Sequence, residues 1–225
     1  MDLISLNYFC NSMGTNHFDS LIQHLENSLK LPLPGVKAQF RMVPPTRPEY
    51  PPLDFSKVKY GAVLALLSPD NTHSRITFIL RQNYNGVHSG QISFPGGGFE
   101  ESDENFEKTA VRETFEEIGI PENEIKIVGA LSQLYIPPSN FLVQPYLGFI
   151  PEKPVYNPDI KEVKEVFDLS VEELLNERSF QVKPIQTKTK LIDVPCFIAQ
   201  NRMIWGATAM ILNELLELIN SSAVS

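Results

Sequence analysis

Three consecutive glycines, Gly96-Gly97-Gly98, lead within a few residues into a helix dense with carboxylates, and this junction constrains the fold more than any other segment. Glycines add no side chain to a core; their use is to let backbone approach backbone or a ligand closely. Ser102 or Asp103 is predicted to cap the helix that follows, Gly119 suits the left-handed position after its last turn, and Pro121 stops further winding. On that helix Phe106, Ala110, Thr114 and Ile118 recur every four residues as one apolar stripe, which needs a surface to pack on. Glu104, Lys108, Arg112 and Glu116 form a second row, with Glu113 and Glu117 one turn apart beside it. Like charges at i and i+4 destabilise a helix by about 0.2–0.5 kcal/mol, so Glu113, Glu116 and Glu117 together require a compensating cation. Hard divalent ions such as Mg²⁺ or Mn²⁺ favour carboxylate oxygen at this density. The competing interpretation of such a charge run is a solvated acidic face.

The packing surface comes from the apolar strands. Residues 61–67 are continuously apolar, the mark of a strand covered on both faces. Residues 75–81, 125–132, 142–149, 180–186 and 194–199 are predicted as further strands. A helix is expected at 170–176, where Ser170 and Glu173 fit a capping box, and a closing helix at 208–219. Residues 17–30 carry Phe18, Leu21, Ile22, Leu25 and Leu29 at helical spacing. Seven of the 18 prolines fall between Pro32 and Pro52, which predicts an extended connector over the main body. The expected organisation is an N-terminal helix and proline-rich extension, residues 1–55, packed on a main domain at 56–225. The class is α/β, a mixed sheet with helices on both faces.

Composition removes several functions. A chain of 225 residues fits one enlarged domain, and its net charge of −8 argues against a nucleic-acid surface. Cys10 and Cys196 stand too far apart in sequence to suggest a motif, so neither a disulfide framework nor a thiolate zinc site is expected. The first residues lack a basic region before an apolar stretch, and no run approaches membrane-spanning length. A cytoplasmic protein acting on a small molecule, without nucleic-acid or membrane partners, is the expectation; a homodimer is compatible with it.

The spacing of the glycine loop and acidic helix matches G-x5-E-x7-R-E-U-x-E-E-x-G-U through Gly98, Glu104, Arg112, Glu113, Glu116, Glu117 and Gly119, and so resembles the Nudix hydrolases. Seven fixed positions at roughly 5–7% usage each would coincide by chance with a probability on the order of 10⁻⁶. Thr114 departs from the pattern, standing where a bulky aliphatic residue is usual. The Phe94-Pro95-Gly96-Gly97 lead-in permits a second register, in which Gly97 is the box glycine and Asp103 the first acid. The resemblance implies a Nudix-type α/β/α sandwich and hydrolysis of a nucleoside diphosphate linked to another moiety. Under it Glu113, Glu116 and Glu117 bind Mg²⁺ or Mn²⁺, one glutamate of the cluster activates water, and Arg112 with Glu104 braces the loop.

Upstream, residues 81–97 resemble the coenzyme A pyrophosphatase branch, R-[SA]-x3-R-x3-G-x3-F-P-G-G, through Arg81, Gly90, Phe94, Pro95, Gly96 and Gly97, while Gln82 and Gly86 depart from it. This implies Arg81, His88 and the Gly96, Gly97 and Gly98 loop as the substrate-binding set. Arg41, Arg47, Lys188 or Lys190 are candidates to replace the missing second arginine at a 3′-phosphate. Tyr135, Ile136, Pro137 and Phe141 are candidates for a pantetheine channel, and Glu162 for an outer ligand or water-positioning residue. The rival readings are an ADP-ribose or reduced-nicotinamide dinucleotide pyrophosphatase and a non-catalytic nucleotide-sensing module, the last disfavoured because every box carboxylate is present.

Overall fold

The computed structural model describes residues 15–44, 57–82, 90–186 and 191–221. At its centre lies β1 (Lys59–Pro69), whose alternating side chains feed two apolar layers. Ala62, Leu64 and Leu66 meet α3 (Phe106–Ile118) through Ala110, Val111 and Ile118. Ala65 and Leu67 belong to the opposite layer, with α1 (Thr15–Ser28) and α5 (Gly206–Asn220). Burial on both faces explains why residues 61–67 carry no polar side chain.

β1 runs parallel to β7 (Phe141–Phe149), from Lys59 opposite Phe141 to Leu67 opposite Phe149. It also pairs antiparallel with β2 (Ser74–Arg81) at its C-terminal end and with the all-glycine β4 (Gly96–Gly98) near its start. β3 (Ile92–Ser93) and β8 (Val163–Ser170) join β2, while β5 (Lys126–Ala130) and β6 (Leu134–Ile136) join β7, completing an eight-stranded mixed sheet. A three-stranded antiparallel sheet, β9 (Phe180–Gln186), β10 (Leu191–Ala199) and β11 (Arg202–Trp205), adds Phe197, Ala199 and Ile204 to the α5 layer. The short α4 (Val171–Leu175) starts as expected, with Ser170 Oγ accepting from Glu173 N–H at 3.0 Å.

Two local expectations are corrected. The N-cap of α3 is Asn105, whose side chain accepts from Lys108 N–H at 2.9 Å, and neither Ser102 nor Asp103 occupies that position. The proline-rich connector is not wholly extended: α2 (Gly35–Phe40) winds in its proline-free interval, with Pro34 at the N-cap, where proline is tolerated. Tertiary bonds hold α2 in place. Gln39 donates to Glu214 Oε2 at 2.8 Å and to the Ser132 carbonyl at 2.9 Å, and Asn213 of α5 donates to the Ala38 carbonyl. The remaining connector, residues 45–56, lies outside the described residues, and so does the expected boundary between 55 and 56. Among the described residues, no helix is long and apolar enough to cross a membrane.

Because Leu25 of α1 is fully buried in the same layer as α5, α1 is part of the main core. Leu25→Ala is therefore expected to lower the stability of the whole molecule by about 2–5 kcal/mol in a single transition. Urea melts followed by far-ultraviolet circular dichroism and by Trp205 fluorescence check this; an unchanged main transition would show that α1 folds separately.

Candidate active site

Three segments meet at the start of β1: the glycine strand β4, the helix α3 and the end of β2. Gly96, with φ of +148°, lies so close to β1 that an added Cβ would sit 2.3 Å from the Ala62 carbonyl oxygen. A Cβ on Gly97 would lie 2.4 Å from the Glu113 carboxylate, whereas one on Gly98 would meet nothing within 4 Å. Gly97 is thus the point where the loop touches the acidic face of the helix.

Asp103 carries the brace between loop and helix. Its carboxylate accepts from Arg112 Nε at 2.8 Å, from Arg112 Nη2 at 3.0 Å and from Thr109 Oγ1 at 2.8 Å. The Arg112 guanidinium holds this buried carboxyl well below the usual carboxylate range, and Asp103 in turn raises the arginine. Glu104, the expected partner of Arg112, is instead exposed. The physical reason is the buried partner: Asp103 turns inward to Arg112 and Thr109, which leaves the next residue pointing out and Asn105 to close the helix. The open Gly98 and the inward Asp103 both correspond to the register of the Phe-Pro-Gly-Gly lead-in.

Arg112 reaches further, donating to the Gly98 carbonyl at 3.0 Å, to Glu113 Oε1 at 3.1 Å and to Glu116 Oε2 at 2.8 Å. Glu117 is 1% exposed, and its Oε2 accepts from Gly96 N–H at 2.8 Å. Arg81 Nη2 lies 2.9 Å from Glu117 Oε1, close enough for an ion pair but out of hydrogen-bond alignment, so Oε1 is a buried carboxylate oxygen with no hydrogen-bond donor. Burial pushes the Glu117 carboxyl up to about 7, against the opposing pull of Arg81 and the Gly96 amide. Glu113 is raised too, first by burial, with Glu116 and Glu162 adding repulsion and Arg112 acting against them.

The expected ligands therefore share one neighbourhood without converging on one point. Among the described residues, no three His, Cys, Asp or Glu side chains are gathered as a metal-holding group. The arginines account for the spread, since Arg112 draws Glu113 and Glu116 while Arg81 draws Glu117. The donor set fits a hard divalent cation nonetheless. It offers oxygen only, it carries mutual repulsion that includes Glu162, and one buried oxygen lacks a donor.

Other expected residues fall differently. Arg81 donates to the Gly96 carbonyl at 2.6 Å and to Ser93 Oγ at 3.2 Å, so it grips the loop, while His88 lies outside the described residues. Phe141 packs 3.3 Å from a Cβ placed at Gly61, near the glycine strand, and Tyr135 donates to Asn140 Oδ1 within the β6–β7 hairpin. Arg41 pairs with Glu217 of α5, and Arg47, Lys188 and Lys190 lie outside the described residues. A strap unforeseen from the sequence closes the end of α3: Asn157 N–H donates to the Ile118 carbonyl and Asp159 N–H to the Glu117 carbonyl. Together with Phe115, Glu116 and Gly119, it lines a cavity of about 280 Å³. These bonds use main-chain N–H groups, which leave no trace in residue type. Ser93, the support of Arg81, was also missed.

Residues 59–187 match the NUDIX domain model, more than half of the chain. An uncharacterized Nudix hydrolase NudL of Pectobacterium atrosepticum is 31% identical over 153 residues, covering 67% of this chain and 79% of that relative. The NudL of an Enterobacter species is 32% identical over 139 residues, covering 60% and 70%. Among solved structures, a MutT/nudix family protein from Enterococcus faecalis aligns with a TM-score of 0.47 at 16% identity, over 74% of this chain and 63% of that one. With the box carboxylates, the glycine strand and the mixed sheet in place, the chain belongs to the Nudix hydrolase family.

Proposed function

We propose that the protein is a cytoplasmic, Mg²⁺- or Mn²⁺-dependent pyrophosphatase that cleaves coenzyme A or its short acyl derivatives to 3′,5′-ADP and the matching 4′-phosphopantetheine. The observation that carries the chemistry is the buried Glu117 carboxylate with its unbonded Oε1, set among Glu113 and Glu116 beside Gly97. Glu113, Glu116 and Glu117 would hold the ion. A divalent cation there supplies the positive charge that lets a pyrophosphate approach carboxylates and favours ionisation of attacking water. The chain's own part is positional. Asp103 and Arg112 lock loop to helix, Gly97 keeps a side chain out of the way of Glu113, and a glutamate of the cluster accepts the proton of the attacking water. The coenzyme A assignment rests on residues 81–97 and on the Gly97 and Asp103 register, with the β6–β7 hairpin offered as the site of the pantetheine arm.

Activity is expected to vanish on exhaustive chelation and to return with Mg²⁺ or Mn²⁺; full turnover in the chelated enzyme would contradict the metal requirement. Glu116→Gln removes a ligand charge from an exposed position, and kcat should fall by about 10² or more with the fold intact. Steady-state kinetics beside a thermal melt separate these effects.

The raised Glu117 carboxyl gives a pH signature in the metal-free protein. Its folded value of about 7 exceeds the ordinary 4.5, so the native state binds the proton more tightly and stability falls as pH rises through that window. The size is about 3 kcal/mol by linkage. Asp103 is shifted the other way, and its contribution is lost only as pH falls below the ordinary carboxylate range. Glu117→Gln should therefore be the more stable protein at pH 8 without metal, with a flatter profile between pH 5 and 8. Urea midpoints at those two pH values decide, and parallel profiles for the two proteins would refute it.

For the substrate, kcat/KM is to be compared for coenzyme A, dephospho-coenzyme A, ADP-ribose and reduced nicotinamide dinucleotide under one metal condition. Coenzyme A should lead, with the dephospho form about tenfold lower or more through loss of a charged contact. A preference for ADP-ribose or the dinucleotide would reject the coenzyme A assignment and leave the pyrophosphatase chemistry standing.

A further inference from the structure

Arg81 ends β2 on the face of the sheet that carries Thr77 and Ile79, and so points toward α3. Its guanidinium touches three segments at once: Ser93 Oγ of β3 through Nε, the Gly96 carbonyl of β4 through Nη2, and Glu117 Oε1 of α3 by charge. Glu117 Oε2 in turn accepts from the N–H of the same glycine. Arg81, Gly96 and Glu117 thus close a ring in which Gly96 is held from both sides, its N–H by the carboxylate and its carbonyl by the arginine. The glycine cannot be replaced by a bulkier residue that might hold the loop in another way, since a Cβ would strike Ala62 and Val63. Glu117 is thus faced on one oxygen by the Gly96 N–H and on the other by the arginine.

We infer that Arg81 is a positioning residue, which fixes the Glu117 carboxylate and the Gly96 peptide for the divalent cation instead of binding substrate as the sequence resemblance implies. This inference rests on the metal reading given above. Two features favour it over a substrate contact. The side chain of Arg81 is mostly covered, with 20% of its surface exposed, and its Nη2 already serves the Gly96 carbonyl and Glu117. A substrate phosphate would have to draw it away from a buried carboxylate, which then loses its counter-charge in a low-dielectric setting. Groups that orient a ligand from behind commonly change metal affinity by about 10–100-fold when removed.

The test measures Mn²⁺ binding without substrate, by calorimetry or by the loss of the free-ion paramagnetic resonance signal, for the wild-type chain, Arg81→Met and Arg81→Lys. KM for the best substrate of the panel is then taken at saturating Mn²⁺. Arg81→Met is expected to weaken Mn²⁺ by about tenfold or more, with KM changed much less. Arg81→Lys should recover part of the loss, because it restores the charge beside Glu117 but not the fork to Gly96 and Ser93. Unchanged Mn²⁺ affinity in Arg81→Met, or a rise in KM larger than the loss of metal affinity, overturns the inference and places Arg81 at the substrate. Should Arg81→Met fail to fold, Arg81→Lys decides alone: weakened Mn²⁺ binding at near-constant KM supports the role, and wild-type affinity overturns it. A wild-type chain that binds no Mn²⁺ would instead refute the metal reading itself.

Discussion

A carboxylate buried against glycine backbone is the interaction around which the site is built. Placing Glu117 in the interior removes it from water, a penalty that is tolerable only because the Gly96 amide and Arg81 face it. Meeting that requirement fixes the rest. The loop must come within bonding distance of the helix, so positions 96 and 97 must be glycine. The helix must be held in rotation about its axis, which the Asp103–Arg112 brace does from its other end. The sheet must present Arg81 at the end of β2, and the pairing of β1 with both β2 and β4 puts that end beside the loop.

The arginines also explain why acidic side chains can crowd this face before any ion arrives. Arg112 bonds to three carboxylates, on Asp103, Glu113 and Glu116, and Arg81 serves the fourth, on Glu117. Each carboxylate is thereby kept near the others without full repulsion. The arrangement is compatible with ion binding because these contacts differ in depth. The Glu116 carboxylate is half-exposed, where an ion pair contributes little, whereas the Asp103 carboxylate is buried and held by several bonds.

Much of this was legible in the chain. Residues 61–67 declared a doubly covered strand, Gly119 the end of α3, and Ser170 the start of α4, because each signal is local and has one physical meaning. The box spacing named the carboxylates and left two registers for the loop. What chose between them was geometric: a Cβ at Gly97 would strike Glu113 and one at Gly98 would not, a difference that three identical letters cannot express. The cap shifted from Ser102 or Asp103 to Asn105 for a related reason, since Asp103 has a stronger partner in Arg112. α2 escaped notice because proline density outweighed a short interval whose helix is sustained by Gln39 and Asn213 bonds to distant residues. The role of Arg81 was hidden because its partners are a carbonyl, a serine and a helix carboxylate far apart in sequence.

We propose that Glu113, Glu116 and Glu117 would together hold one cation, with Glu116 released from Arg112. Crystals soaked in Mn²⁺ and measured at its absorption edge test it directly. The account predicts an anomalous peak at bonding distance from Glu117 Oε1, with Glu116 turned inward, Arg112 still on Asp103 and Arg81 still on the Gly96 carbonyl. Strong peaks found only elsewhere, with Arg112 unmoved from Glu116, would contradict it.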